Sequence, residues 1–348
     1  MTIALITDQH LDGRKNSQAF WEFFMKFYDN VFFPTLEKHK IKTIIDLGDT
    51  FDNRKSMDLN SWHRIKTRYF QVLADMGIEI HMLVGNHTAY YKNTNKVNTP
   101  DLLLDSFDNI HTYDEVTDIE IEGRKFTMLP WINPENEDHV RKHLDNTDSD
   151  VVCGHLELNG FAAIPGHYFE GGGWDRRAFT KFKRVYSGHF HFPSEKGNVR
   201  YLGNPYEMFW NDCGSKRGFH LFEPSTLALK FVENPYTIFK KIFYDEDTWN
   251  NNNFNPAEYK DCFVKLIVVN KNNSIWLDRI IERLYDSGIH DLKIIDDTVM
   301  DQEEVGGVEH EDTLTILNKY IEQMDDKLDK PELKSIMKSI YLEACEVQ

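Results

Sequence analysis

The segment Ile78-Glu79-Ile80-His81-Met82-Leu83-Val84-Gly85-Asn86-His87 decides the fold class of this 348-residue chain. Its apolar, β-branched part is typical of a buried strand, and the strand ends abruptly at Gly85-Asn86-His87. A strand of this kind delivers polar side chains to the rim of a sheet. The segment therefore predicts a functional site at a strand end.

Four other strand-like runs also end in an Asp or a His. Residues 3–7 precede Asp8 and His10, residues 43–47 precede Asp49, residues 150–153 precede His155, and residues 185–187 precede His189 and His191. In an extended segment, residues i and i+2 point to the same side. We therefore expect Asp8 with His10, and His189 with His191, to reach one site as pairs.

The strand-like runs of the first 130 residues alternate with amphipathic segments at residues 17–39 and 59–76, which predict helices. Such alternation indicates βαβ units and a largely parallel sheet, whose ligands bind beyond the carboxyl ends of the strands. Further strand-like runs at residues 199–202, 218–222 and 228–232 predict a second sheet packed on the first. The expected fold is α/β, a two-layer β-sandwich flanked by helices.

The chain is predicted to continue beyond this first domain, residues 1–245, with three shorter segments. The polar residues 250–253 and Pro256 indicate a boundary, and residues 257–297 predict a small βαβ unit. Residues 298–312 are acidic and contain Gly306-Gly307, which is typical of a flexible linker. Residues 313–348 predict a pair of short amphipathic helices that need a partner surface. The alternative is that these helices fold back on their own first domain.

Composition limits the function classes without selecting one. The chain contains no run of 18 apolar residues, so no membrane helix is predicted, and the N-terminus resembles no signal peptide. The expected compartment is therefore the cytoplasm. The net charge is −17, but residues 245–348 hold 24 acidic and 11 basic side chains and so carry −13 of it. The charge neither establishes nor excludes a nucleic-acid partner.

The polar residues at the strand ends combine carboxylate, amide oxygen and imidazole without a thiolate. This donor set suits Mn²⁺, Mg²⁺, Fe²⁺ or Zn²⁺. Two such ions roughly 3.5–4 Å apart, bridged by a carboxylate, would clamp a phosphate and activate a water between them. His87, beside Asn86, would then be available to protonate the leaving oxygen.

These motifs resemble those of the calcineurin-like metallophosphoesterases. More closely they resemble the SbcD nuclease subunits, which work with SMC-like SbcC ATPases. The resemblance is carried by Asp8-Gln9-His10, Gly48-Asp49-Thr50-Phe51-Asp52, Gly85-Asn86-His87, Gly154-His155 and Gly188-His189-Phe190-His191. Residues 154–160 and 199–205 are similar to the phage branch, the recombination endonuclease subunits of T4-like phages.

The resemblance implies a role for each site residue. Asp8, His10 and His191 would bind one metal, Asn86, His155 and His189 would bind the second, Asp49 would bridge the two, and His87 would be catalytic. The implied cofactors are two divalent ions, Mn²⁺ first and Mg²⁺ as the alternative. The family usually has an acid after the catalytic histidine, whereas this chain has Thr88. Either activity is reduced, or another carboxylate substitutes.

The resemblance also implies an activity and partners. The expected activity is DNA exo- and endonuclease cleavage with a two-metal-activated water, in the recombination, repair and replication of DNA. Residues 257–297 would be a capping domain, and residues 313–348 would bind an SMC-like, SbcC-type ATPase. The nuclease chain would form a homodimer within a heterotetramer. The substrates of this assembly would be double- and single-stranded DNA. Two alternatives stay open: a phosphatase or small-substrate phosphodiesterase, and a scaffold that has lost its chemistry.

Overall fold

The computed structural model of the chain describes residues 1–164, 167–169, 172–251 and 253–296, together with 320–322, 330–331, 333–334 and 337. The chain divides into two compact units, Met1–Thr237 and Ile238–Gln348. Each unit has its own sheet structure and its own hydrophobic core.

The first unit contains two six-stranded sheets and two short hairpins. Its strands are β1 (Ile3–Ile6), β2 (Thr43–Asp46), β3 (Glu79–Leu83), β4 (Ala89–Tyr91), β5 (Thr94–Asn98), β6 (Ile110–Tyr113), β7 (Thr117–Ile121), β8 (Arg124–Leu129), β9 (Val151–His155), β10 (Ala162–Ile164), β11 (His167–Tyr168), β12 (Arg184–Gly188), β13 (Ser194–Lys196), β14 (Val199–Tyr201), β15 (Arg217–Glu223) and β16 (Ala228–Asn234).

The first sheet has the strand order β16-β15-β1-β2-β3-β6. Strands β1, β2, β3 and β6 are parallel, as the alternation of strands and helices predicts, while β15 and β16 are antiparallel additions beside β1. The second sheet has the order β13-β14-β12-β9-β8-β7, with four parallel strands between antiparallel edges.

The prediction that residues 218–222 and 228–232 belong to the second sheet was wrong. Of the three predicted runs, only the one at residues 199–202 lies in the second sheet, as β14. Strand β15 pairs instead with β1 in the first sheet, with Ile3 opposite Phe222. The physical reason is hydrogen bonding. Strand β1 is buried, so the backbone N–H and C=O groups on the edge that does not face β2 need hydrogen-bond partners. Strand β15 provides these partners.

The two sheets pack face to face over a shared apolar core, which confirms the predicted two-layer sandwich. Buried residues of the first sheet meet buried residues of the second; the first set is Ile3, Leu5, Ile45 and Leu83, and the second is Phe126, Met128, Val151, Cys153 and Tyr186. A second cluster, around Val140, Leu144 and Phe182, covers the outer face of the second sheet.

Helices flank the sandwich where the sequence predicts them. The α-helices of the first unit are Gln18–Phe27, Phe33–Lys38, Leu59–Ile65, Gln71–Asp75, Thr99–Leu104 and Glu137–Asn146, and π-helical turns at Tyr28–Phe32 and Lys66–Phe70 join the first two pairs. Shorter 3₁₀ turns lie at Arg176–Phe179 and Trp210–Asp212, and Gly13–Asn16 forms a turn in which Arg14 and Lys15 have left-handed backbone angles.

The second unit is a three-stranded parallel sheet, β17 (Phe239–Asp245), β18 (Phe263–Asn270) and β19 (Asp291–Asp296), with a 3₁₀ turn at Pro256–Tyr259 and one helix at Ser274–Asp286. Buried Val264, Leu266 and Val268 of β18 pack with Ile280 and Leu284 of the helix. Strand β17 lies within residues 1–245, which the sequence analysis groups in the first domain, but it pairs with β18.

The predicted linker at residues 298–312 lies outside the described residues, and so does most of the predicted helical tail at residues 313–348. The described residues of the tail, 320–322, 330–331, 333–334 and 337, are helical. Across the described part of the chain, no helix combines the length and apolarity that crossing a membrane requires.

Candidate metal centre

The eight predicted site residues come from five strand ends, and the structure brings all of them together. Asp8, Asp49 and the Asn86-His87 pair follow β1, β2 and β3 of the first sheet, whereas His155 ends β9 and His189 follows β12 of the second. The two sheets of the sandwich therefore meet at one polar rim. Asp8, Asp49 and His155 are almost completely buried there.

The first cluster consists of Asp8, His10 and His191, whose ligand atoms all lie within 4.8 Å of one another. The Nε2 atoms of His10 and His191 face each other at 3.2 Å. The Asp8 carboxylate is held by the Thr7 hydroxyl at 2.9 Å and by the backbone N–H of His189 at 3.0 Å. Two imidazole nitrogens that converge beside an oriented carboxylate form a fitting site for a divalent cation.

The second cluster is built around the amide oxygen of Asn86. This Oδ1 atom lies 2.9 Å from His155 Nε2 and 3.0 Å from His189 Nδ1. His155 donates its Nδ1 proton to the Leu47 carbonyl at 2.8 Å, which directs its Nε2 atom into the cluster. Fixing a histidine tautomer through its second nitrogen is the usual way in which proteins orient a metal ligand.

Asp49 lies between the two clusters. Its Oδ2 atom is 3.0 Å from His155 Nε2, and its ligand atom lies within 4.8 Å of those of both Asp8 and His155. Its Oδ1 atom accepts the backbone N–H of His87 at 2.9 Å. This position fits the bridging role predicted for Asp49.

The electrostatics of the centre favour an ionised Asp49. Burial opposes ionisation of this carboxyl, but the charges of His155 and His87 lower its pKa below the usual range. Burial likewise disfavours a charged His155, yet Asp49 raises the pKa of His155 to about 9. A dication bound between these groups would replace the proton that balances Asp49.

Two of the glycines before the site residues are required by close packing. A Cβ atom at Gly85 would lie 2.2 Å from Asp49 Oδ1, and one at Gly188 would lie 2.0 Å from Thr7 Oγ1. A side chain at position 85 would displace the Asp49 carboxylate, and one at position 188 would displace the Thr7 hydroxyl that donates to Asp8.

The backbone of the first cluster differs from the prediction. Asp8 and His10 are not extended, because their φ angles are 51° and 42°. Backbone hydrogen bonds from Asp8 to Gly48 and from His10 to Asp49, each 3.0 Å, hold them in this left-handed form. Both side chains still reach the centre, at a cost in backbone strain that is typical of functional sites.

Comparison with known proteins identifies the family. Residues 1–193 match the sequence profile described as calcineurin-like phosphoesterase. The chain belongs to this family. It is also 30% identical over 317 residues to Exonuclease subunit 1 of Enterobacteria phage T4, over 88% of this chain and 89% of that protein.

Weaker similarity links the phosphoesterase to two solved structures. A dimetal phosphatase from Danio rerio is 14% identical over 64% of this chain and 91% of its own, with a TM-score of 0.41. A nuclease from Pseudomonas putida is 14% identical over 67% of this chain and 87% of its own, with a TM-score of 0.31.

The structure also shows a residue at the phosphoesterase centre that the sequence analysis did not select, Asp52. Its Oδ1 atom lies 3.0 Å from His10 Nδ1 and 3.6 Å from His87 Nδ1, and its backbone carbonyl lies 3.0 Å from His87 Nδ1. Asp12 in turn accepts the Asp52 backbone N–H at 2.6 Å. Asp52 stands in the motif Gly48-Asp49-Thr50-Phe51-Asp52, which was the available signal.

Asp52 lies beside His87, where the family usually has an acid and this chain has Thr88. Thr88 is buried, and its hydroxyl bonds the backbone of Gly85, with 2.9 Å to the nitrogen and 3.2 Å to the oxygen. The His87 ring lies instead beside Asp52, 35 positions earlier in the chain, with the Asp52 carbonyl oxygen 3.0 Å and the Asp52 carboxylate 3.6 Å from His87 Nδ1. This carboxylate is the candidate for the role of the expected acid.

Asp52→Asn is expected to lower metal affinity or phosphodiester turnover by about 10- to 100-fold, because partners of metal-binding histidines typically contribute this much. The measurements are a manganese titration and the hydrolysis of bis-p-nitrophenyl phosphate. Asp105→Asn, which removes an exposed carboxylate at a helix end, is the control and should change neither. Equal behaviour of the two variants would show that Asp52 does not support the centre.

Arg217 is a second residue that the sequence analysis missed. Its guanidinium is buried behind His191 and donates hydrogen bonds to the His191 carbonyl and to Asn204 Oδ1. It also pairs with the buried Asp212 at 2.8 Å and lies 4.3 Å from the centroid of the Phe192 ring. These contacts fix the backbone of the loop that carries His191.

Proposed function

We propose that the chain is a metal-dependent DNA nuclease subunit with exonuclease and endonuclease capacity. The observation that carries the proposal is the meeting of two donor clusters on either side of Asp49, with His87 at their edge. The T4 relative is named an exonuclease subunit, and 89% of its length is covered by the similarity, which supports the same class of substrate here.

The donors fit two divalent ions. Asp8, His10 and His191 would hold one, Asn86, His155 and His189 the other, with Asp49 between them. The absence of thiolates and the presence of carboxylate and amide oxygens favour Mn²⁺, with Mg²⁺ as the alternative. When bound, such a pair of ions neutralises phosphate charge and lowers the pKa of water.

The proposed task of His87 is to donate a proton to the leaving oxygen. Its backbone N–H is anchored on Asp49 at 2.9 Å, and its Nδ1 atom lies 3.0 Å from the Asp52 carbonyl. The His87 ring packs edge-on against His10 at a centroid distance of 4.9 Å. The imidazole is thus held beside the place where the phosphate would bind, with 14% of its side chain exposed.

The nuclease assay that tests the proposal uses linear duplex and single-stranded DNA with Mn²⁺, in parallel with bis-p-nitrophenyl phosphate. Cleavage of DNA that stops on chelation is the expected result. Hydrolysis of the small diester without cleavage of any DNA would contradict the proposal and support a small-substrate phosphodiesterase. Binding of two Mn²⁺ ions per chain without hydrolysis of either substrate would support a scaffold.

The proposed partner is an SMC-like ATPase of the SbcC type, bound through the predicted helices at residues 313–348. In the complete assembly two nuclease chains would form a homodimer within a heterotetramer that processes DNA ends in recombination, repair and replication. The helical segment at residues 17–39 or the one at residues 59–76 is the proposed dimer contact. The T4 relative is itself named a subunit, which supports the existence of a partner.

Deleting residues 313–348 is expected to leave basal nuclease activity intact and to abolish association with the ATPase. The measurement is co-purification of the co-expressed pair, with manganese-dependent cleavage as the check on folding. A truncated chain that still co-purifies with the ATPase would refute the assignment of the tail.

A further inference from the structure

A cavity of about 340 Å³ lies beside the second metal cluster. Two tryptophans, Trp131 and Trp174, line it together with Arg141 and the carboxylates of Glu137 and Glu157. Its volume is within the range of about 300–1,000 Å³ that is usual for small-ligand pockets.

The cavity shares residues with the metal centre. The Trp131 ring lies 5.1 Å from the His189 ring and 6.2 Å from the His155 ring, measured between centroids. The Oε2 atom of Glu157 is 3.4 Å from His189 Nε2. A group in the cavity would therefore be the immediate neighbour of a phosphate held at the second cluster.

The Trp131 wall is held by hydrogen bonds on both sides of its backbone. Its N–H donates to the Val84 carbonyl at 2.8 Å, and its own carbonyl accepts the side-chain amides of Asn95 and Asn136 at 2.8 and 3.0 Å. This wall is thus formed before any ligand binds, which lowers the entropic cost of binding.

The Trp174 wall is held in a similar way. Its N–H donates to the Glu157 carbonyl at 2.9 Å, and its carbonyl accepts the Asn159 N–H at 3.0 Å. The Arg141 guanidinium covers its ring at 4.2 Å and pairs with Glu137 at 2.6 Å. The preceding Gly173 is packed so closely that a Cβ atom there would lie 2.7 Å from the Glu157 carbonyl oxygen.

The charges of the cavity select against a phosphate as its occupant. Among the described lining residues, Glu137, Glu157 and Asp175 place three carboxylates on the cavity, and Arg141 is the one cationic residue, already paired with Glu137. A flat, neutral group with N–H donors suits such a lining, because it can stack on indole and donate to carboxylates.

We propose that this cavity binds one unstacked nucleobase of the DNA strand whose phosphate is held at the metal centre. The base stacks on Trp174 against the Trp131 side of the cavity, and an exocyclic amino group donates to Glu157. Carboxylates accept from the exocyclic amino group of cytosine, a group that thymine lacks. The proposal rests on the nuclease function proposed above and adds a base-binding subsite to it.

The test measures binding of short single-stranded oligonucleotides by fluorescence anisotropy, with Mn²⁺ and in a His87→Ala background that prevents cleavage. Trp174→Ala is expected to weaken binding roughly 5- to 150-fold, since stacking of one base on an aromatic side chain is worth about 1–3 kcal/mol. Trp174→Phe keeps an aromatic face and should stay within about 3-fold of the parent.

The matched control is Trp276→Ala in the second unit. Trp276 also lies under an arginine, with Arg279 at 4.8 Å from its ring, but it does not line the cavity. A series of oligonucleotides with one abasic position completes the design. When the abasic site is at the position that occupies the cavity, binding to the parent protein should weaken. Binding to the Trp174→Ala variant should not weaken further.

The outcomes separate this proposal from the nuclease function. Hydrolysis of bis-p-nitrophenyl phosphate, which has no base, reports the metal centre, and Trp276→Ala should leave it unchanged in the otherwise wild-type chain. Equal binding of normal and abasic strands, or equal behaviour of Trp174→Ala and Trp276→Ala, would overturn the subsite even if DNA is cleaved. Failure of the nuclease function would instead appear as base-dependent binding without cleavage by the wild-type chain.

Discussion

His87→Ala is expected to reduce the rate of DNA hydrolysis by about 10²- to 10⁴-fold, the usual contribution of a positioned acid or base. Both metal ions should stay bound, because the contact from His87 to Asp49 is made by the backbone N–H, which alanine retains. The measurements are the single-turnover cleavage rate of linear DNA and the manganese content per chain.

The leaving group provides a sharper form of this test. If His87 protonates the leaving oxygen, its loss should slow cleavage of DNA more than that of bis-p-nitrophenyl phosphate, whose nitrophenolate needs little protonation. His39→Ala, at an exposed helix end, is the control and should behave as the parent does. Loss of metal from His87→Ala would show that its side chain is a ligand rather than a proton donor.

Arg217→Met is expected to lower the free energy of unfolding of the first unit by about 3–5 kcal/mol, because it leaves the buried Asp212 charge without its partner. The same change removes the donor to the His191 carbonyl, so the affinity of the first metal cluster should fall as well. Urea unfolding, with and without Mn²⁺, measures the two effects separately.

The adjacent Lys216→Met is the matched control for Arg217→Met. Lys216 pairs with Glu233 at 3.0 Å, but with 76% and 48% of these side chains exposed the pair is screened by water. Its loss should change stability by less than about 1 kcal/mol. Adding Asp212→Asn to Arg217→Met removes the unpaired charge and should restore part of the lost stability. Equal stability of the two methionine variants would contradict the structural role of Arg217.

The amino-acid sequence was sufficient to predict the sandwich and the eight side chains that meet at its polar rim. Apolar runs that stop at Gly-Asp, Gly-Asn or Gly-His mark strand ends, and parallel strands necessarily bring such ends to one rim. These features depend on local pattern and on the geometry of a parallel sheet.

Contacts between distant parts of the chain could not be read in this way. The pairing of β15 with β1, the left-handed backbone at Asp8 and His10, and the cavity between Trp131 and Trp174 all depend on how separate segments pack. Asp52 stands in one of the quoted motifs, but neither its role nor that of Arg217 can be read from the sequence. Their roles arise only where folding places Asp52 beside His10 and His87 and buries Arg217 beside the His191 carbonyl, because burial makes the partner of a charged group matter.

The sequence by itself thus determined which residues reach the rim of the sandwich, since strand direction and strand ends are encoded locally. Only the tertiary structure decided which atoms face one another there, such as His10 Nε2 and His191 Nε2 at 3.2 Å and Asp52 Oδ1 beside His10 Nδ1 at 3.0 Å. The physical reason is that the register between two packed sheets is set by the whole apolar core and by no single segment of the chain.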